Sequence, residues 1–171
     1  IEEAERLLLR AVHHDQVLSA LSQIEAYINL GVCTTRKKNF TQADQYFKEA
    51  EKFCESLKQK SDMNLAINSD ERRIERAQLR ILLYSGERFY RENNFGKAQE
   101  LYEEVDKRAK EIDWLRFRIK ANERLAFLEI QQNKLTEAQC RLEEWIDFAK
   151  KNKDDRRIAF FYRDFAELYF R

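Results

Sequence analysis

The sequence predicts an all-α protein in which antiparallel helix pairs recur along the chain as a solenoid. Three observations predict it. The 171 residues contain no proline and three glycines, so the usual punctuators of strands and turns are nearly absent. Charged residues, mostly good helix formers, make up 37%, while a hydrophobic content of 43% excludes a disordered polar tail. One phrase also repeats: Ala4/Leu8/Ala11, Ala43/Phe47/Ala50, Ala98/Tyr102/Val105 and Ala138/Leu142/Trp145. Its i, i+4, i+7 spacing puts the three residues on one helix face. The opening alanines lie 39, 55 and 40 residues apart, which suits an array of helical repeats.

Taken in order, a short helix is expected from Glu2 to His13 and a long one from Asp15 to Lys38. The next pair covers Thr41 to Lys60 and Asp70 to Asn93, followed by Gly96 to Lys110 and Asp113 to Asn133. Thr136 to Lys151 and a helix from Asp155 to the end complete the series. Breaks fall at Lys37-Lys38-Asn39, Asn93-Asn94, Gln132-Asn133 and Asn152-Lys153-Asp154, and Thr41 and Thr136 sit where N-caps belong. Connections this short make neighbouring helices antiparallel.

The first helix of each pair has its own signature, ending in a small residue at Gly31, Gly86, Ala126 and Ala166. The runs are Tyr27-Ile28-Asn29-Leu30-Gly31, Leu82-Leu83-Tyr84-Ser85-Gly86, Asn122-Glu123-Arg124-Leu125-Ala126 and Tyr162-Arg163-Asp164-Phe165-Ala166. A mid-helix glycine costs ~1 kcal/mol against alanine, so close approach of the partner helix is expected there. Nine residues beyond the first three small residues, Phe40, Phe95 and Leu135 mark the inter-helix turn.

This combination resembles the tetratricopeptide repeat family: an aromatic or apolar run ending Leu-Gly/Ala, an apolar turn residue, then Ala-x3-Phe/Tyr/Leu-x2-Ala. The resemblance covers nearly the whole chain and is best from Tyr27 to Ala50. It departs from the family in a period near 40 instead of 34 and in lacking the closing proline. Longer repeats of this kind resemble those of bacterial peptide-sensing regulators and signalling ATPases. The resemblance implies a right-handed α-α superhelix as one domain over residues 1–171. Its parts are a half repeat at 1–14, repeats at 15–60, 77–111 and 112–152, and a half repeat at 153–171, with an insertion and helix extension at 61–76.

The 55-residue step holds about 15 extra residues over a regular one. They read either as a longer loop with added helical turns or as an interaction appendage, since irregular insertions in solenoids often map to the binding face. The chain opens on a second-type helix and closes on an aromatic first-type helix from Ile158 to Arg171. An uncapped repeat exposes its apolar face, so a longer parent protein, or a homodimer through that helix, is expected.

Composition and motifs argue against catalysis. A formal charge of +1 gives no general pull toward nucleic acid or anionic membrane. No apolar stretch suits a transmembrane span and no signal-peptide pattern opens the chain, so the expectation is cytoplasmic. His13 and His14 are adjacent rather than i, i+4, which disfavours a metal pair. Cys33, Cys54 and Cys140 lack CxxC spacing and read as small apolar core residues in a reducing compartment. No phosphate-binding glycine loop or nucleophile–base set can be assembled. The expectation is a non-enzyme with no catalytic residue, metal or cofactor.

What the resemblance implies about binding is a concave groove lined by first helices. Carried over, its positions include Ile28, Val32 and Arg36, with Asn29 at the place of a backbone-holding asparagine. They continue with Arg80, Leu83, Glu87, Tyr90 and Arg91, then Lys120, Glu123, Arg124 and Phe127, then Arg163. Chaperone-binding members place a Lys and Asn pair there, whereas this chain has Ile28/Val32, Leu83/Glu87 and Glu123/Phe127. Aromatics and arginine are enriched at interface hot spots, so a protein or peptide with hydrophobic and acidic character would suit the groove. The arginines equally suit pairing with Glu25, Glu87, Glu123 and Glu167 along the face. Two functions follow: a non-catalytic peptide-binding scaffold, or a sensor and oligomerisation arm of a larger bacterial signalling or regulatory protein.

Overall fold

The computed structural model describes residues 2–13, 19–62, 68–151, 161–163 and 166. Among the described residues the chain is helical, without strands. Its helices are α1 Glu2–His13, α2 Ala20–Arg36, α3 Phe40–Asp62, α4 Asn68–Arg91, α5 Phe95–Glu111, α6 Leu115–Gln131 and α7 Leu135–Lys151. None is long and apolar enough to cross a membrane. The expected start of the second helix at Asp15, and most of the expected final helix, lie outside the described residues.

Four connections use one device, which explains how the chain turns without glycine or proline. Each helix ends in a Schellman motif whose second connecting residue has positive φ: Lys38 at 61°, Asn93 at 63°, Asp113 at 54° and Asn133 at 59°. At the first, Asn39 N–H donates to Thr34 O (3.0 Å) and Lys38 N–H to Thr35 O (3.0 Å). The same two bonds recur at Asn94/Asn93, Trp114/Asp113 and Lys134/Asn133. The residue closing each motif also opens the next helix. Ala43, Ala98 and Ala138 donate their N–H groups to the carbonyls of Asn39, Asn94 and Lys134 (3.0–3.1 Å).

The recurring alanines thus sit one turn inside their helices because the turn fixes where each helix begins. This corrects the expected N-caps at Thr41 and Thr136, because α3 starts at Phe40 and α7 at Leu135. Asn39 Oδ1 accepts from Gln42 N–H and Asn94 Oδ1 from Lys97 N–H, both at 3.3 Å, so asparagine serves as the cap.

The chain divides into two compact units, residues 1–98 and 99–171, with the division inside α5. In the first, α1 packs on α2, α2 on α3, α3 on α4, and α2 also reaches α4. Its main core joins Ile24, Ile28, Ala43, Phe47, Cys54, Ile74 and Ile81, among others. Ala26 and Leu30, on another side of α2, meet Val12 of α1. A helix apolar on two faces is one held between neighbours. Thr34 and Thr35 are buried in α2 with their hydroxyls donating to Leu30 O (2.8 Å) and Gly31 O (2.7 Å).

Gly31 has the packing reason its position suggests. A Cβ there would meet Phe47 Cδ1 and Cζ at 2.7 Å. In the second unit α6 packs on α7, and Ala126 and Leu142 occupy the corresponding places in a core with Trp145, Ile146 and Phe161.

The extra residues of the long step are mostly helix. α3 and α4 have 23 and 24 residues, against 17 in each of α2, α5, α6 and α7. Ala20 precedes Gly31, and Leu115 precedes Ala126, by one common spacing. The same spacing back from Gly86 would start α4 at Glu75, yet α4 starts at Asn68. The α4 end is tied back by Arg88, which is 6% exposed. It bonds Asp44 (2.8 Å) at the start of α3 and Glu92 (2.6 Å), and lies 4.2 Å over the Phe89 ring.

Candidate functional site

A cavity of about 420 Å³ opens in the first unit where α1, α2 and the extended α4 meet. Leu8, Leu21, Ile24, Ala26 and Ala77 give it apolar walls, and Ser22, Glu25, Asn29, Arg73 and Arg76 give it polar ones. Ile24 and Ala77 belong to the main core, so the floor is rigid packing rather than mobile surface. Ser22, Arg73 and Arg76 are exposed at the edge. Arg73 falls in the part of α4 that exceeds the regular length and Arg76 in what would be its first turn, so the extension builds this wall.

Along the α2–α4 contact, groove residues named from sequence come together. Arg80 Nη1 ion-pairs with Glu25, and Arg80 Nη2 donates to Asn29 Oδ1 at 3.3 Å. Arg80 also lies 5.9 Å over the Tyr84 ring. Two to three turns further along α4, Arg91 Nε bonds Glu87 at 3.0 Å, and Tyr90 lies 5.7 Å from the Phe95 ring. Val32 is half-buried and Arg36 exposed. Ile28 and Leu83, which the resemblance places toward a ligand, are 0% and 7% exposed, and Ile28 packs into the main core. As placed, Ile28 supports the site from beneath and does not face an occupant.

In the second unit Lys120, Glu123 and Phe127 are half-buried on α6 and Arg124 is exposed. Arg163 reaches Glu123 at 3.5 Å. Arginine–glutamate pairing along the faces is therefore real at Arg80, Arg91 and Arg163, while Glu167 lies outside the described residues.

Sequence reasoning missed the cavity's basic wall. Its signal is the 55-residue step, which in sequence reads either as a longer loop with added helical turns or as an interaction appendage and singles out neither arginine. Also unforeseen is a polar network in the second unit. Asn122, 4% exposed, donates to Asp106 Oδ1 (2.7 Å) and accepts from Arg141 Nη1 (2.7 Å). Arg141 Nε and Nη2 bind the Glu129 carboxylate at 2.7–3.1 Å. Arg118 Nε reaches Asp106 at 3.3 Å and stacks 5.3 Å over Trp145.

Counting from the repeat phrases, Asp106, Asn122 and Arg141 correspond to Val12, Tyr27 and Tyr46 of the first unit. There the same positions form an apolar cluster, with the two tyrosine rings 6.3 Å apart. One helix-packing geometry thus carries either an aromatic or an ionic solution.

The cysteines divide by environment. Cys54 is buried, and burial pushes its thiol up to about 11. Cys33 is half-buried, and Cys140 is exposed, contrary to the expected core role. All three are free thiols. Among the described residues no group of three His, Cys, Asp or Glu could hold a metal ion. Compared with family models, curated proteins and solved structures, the chain matches none.

Proposed function

We propose that the chain is a non-catalytic scaffold that binds a protein or peptide, with its helix pairs stacked as a tetratricopeptide-like right-handed superhelix. The observation that carries the binding reading is the 420 Å³ cavity of α1, α2 and α4. It lies within the size range of ligand sites and combines apolar walls with a few placed polar groups. Two residues named from sequence, Asn29 and Arg80, stand in or beside it. The repeat phrases, the shared Schellman turns and the Gly31/Phe47 and Ala126/Leu142 correspondence support the superhelix. Free thiols support work in a reducing compartment such as the cytoplasm.

Selection from an unbiased peptide library, followed by titration, tests the reading. Peptides with apolar anchors and acidic residues should be enriched, and Ser22→Trp, which fills the cavity from its exposed edge, should weaken them ~10-fold or more. Failure to obtain any peptide that outbinds its scrambled counterpart rejects the scaffold reading. A Tyr90→Ala/Arg91→Ala variant tests the groove beyond the cavity, and unchanged affinity would remove those two residues from the site.

A further inference from the structure

We infer that the cavity selects a peptide segment presenting one carboxylate beside a bulky aliphatic side chain, with Arg76 and the Asn29 amide as the carboxylate's donors. This rests on the binding reading above and specifies what that site recognises.

The charge balance comes first. Arg76 lines the cavity and Arg80 adjoins it, against a single lining carboxylate, Glu25. Glu25 is engaged by Arg80. Arg76 makes no ion pair among the described residues. The cavity edge therefore carries a positive excess that an anionic occupant would neutralise, and a charge-assisted hydrogen bond to Arg76 is stronger than a neutral one.

The asparagine supplies direction. A guanidinium only donates, so the Asn29 atom facing Arg80 Nη2 at 3.3 Å is its carbonyl oxygen. That fixes the amide with its NH2 as the group left for an occupant. Glu25 and Arg80 are in this sense positioning residues for Asn29. The apolar walls from Leu8, Leu21 and Ile24 want an aliphatic group beside the carboxylate. A peptide rather than a free acid fits because Ser22, Arg73 and Arg76 stand exposed at the edge, so a chain can enter and leave past them.

The test is an NMR titration of the full chain with three probes. They are an acetylated and amidated hexapeptide Gly-Leu-Leu-Glu-Leu-Gly, the same peptide with Gln for Glu, and hexanoate. The glutamate peptide should shift the Asn29 side-chain amide and bind ~10-fold or more tightly than the glutamine peptide. Arg76→Gln, at an exposed position, should keep the melting profile. It should bring the glutamate and glutamine peptides to the same affinity, abolishing the discrimination between them.

Equal binding of the two peptides, or an Arg76→Gln variant that still discriminates, overturns the inference. Hexanoate binding as tightly as the glutamate peptide overturns the peptide commitment in favour of a small carboxylate. If library-selected peptides lose affinity in Ser22→Trp but show no acidic preference, the scaffold reading stands and this inference alone fails. If no library peptide binds at all, both fail.

Discussion

Replacing Gly31 with alanine should destabilise the protein, although a helix ordinarily welcomes that change. In an exposed helix the substitution gains ~1 kcal/mol of propensity. Here the new methyl would lie 2.7 Å from Phe47 Cδ1 and Cζ, well inside van der Waals contact. Phe47 is 3% exposed and packed among Ile24, Ile28 and Ile81, so its ring cannot swing into solvent. Overpacking of this kind costs roughly 1–3 kcal/mol. The net is a loss of about 1 kcal/mol, or a melting temperature lower by about 3 °C for a chain this size.

The chain itself supplies the compensating residue. In the second unit the same two places hold Ala126 and Leu142. Phe47→Leu alone should cost about 1–2 kcal/mol, because the ring's volume is lost. The Gly31→Ala/Phe47→Leu double variant should be more stable than the sum of the two losses by ~1 kcal/mol or more. Urea unfolding followed by circular dichroism reads all four corners of the cycle. A Gly31→Ala variant more stable than the parent, or losses that simply add, would refute the close-approach argument.

Three further outcomes are expected. Lys38 holds φ at 61°, a region that costs a side-chain residue on the order of 1 kcal/mol, so Lys38→Gly should stabilise by ~0.5–1 kcal/mol in the same urea assay. Arg141→Leu strands the Glu129 carboxylate and the Asn122 carbonyl and should cost ~1–3 kcal/mol. Rebuilding the site on the first unit's pattern, with Asp106→Val, Asn122→Tyr, Glu129→Thr and Arg141→Tyr, should recover most of it by thermal melting.

For the thiols, Cys140 should react with a disulfide reagent at once and Cys54 only as the protein opens. The unfolded chain releases the Cys54 proton near its ordinary value of 9.0, whereas the fold holds it until about 11. Stability from this group is therefore undiminished below pH 9 and falls between pH 9 and 11. Comparing alkaline stability of the parent and Cys54→Ala isolates that loss, and parallel curves would contradict it.

Much of the fold was legible because the packing pattern is written twice in each repeat. Ala43/Phe47/Ala50, Ala98/Tyr102/Val105 and Ala138/Leu142/Trp145 are all buried, and the small residues Gly31, Gly86 and Ala126 are too. Periodicity reports which face of a helix is inside, and it did so for these residues. Helix starts were less legible, since Thr41 and Thr136 looked like caps while backbone Schellman geometry set the start one or two residues earlier. That geometry has no sequence signature when its left-handed position holds Lys or Asp in place of Gly.

The candidate site was partly legible. Asn29 and Arg80 came from the resemblance, and both stand at or beside the cavity. Arg73 escaped notice because it belongs to the irregular extension, and Arg76 because it sits in the turn right after it, where the resemblance assigns no groove position. The Asp106–Asn122–Arg141 network escaped because its partners are far apart in sequence and the equivalent positions elsewhere are apolar. Charge pairs of that separation are set by packing, which periodicity does not encode.

The most direct test of the central claim is a residue-level NMR map of the full chain with the tightest peptide from the unbiased library. Shifts should centre on Leu21, Ser22, Asn29 and Arg76, with the Asn29 side-chain amide moving alongside the backbone signals. A bound peptide that leaves those four residues unmoved would contradict that claim.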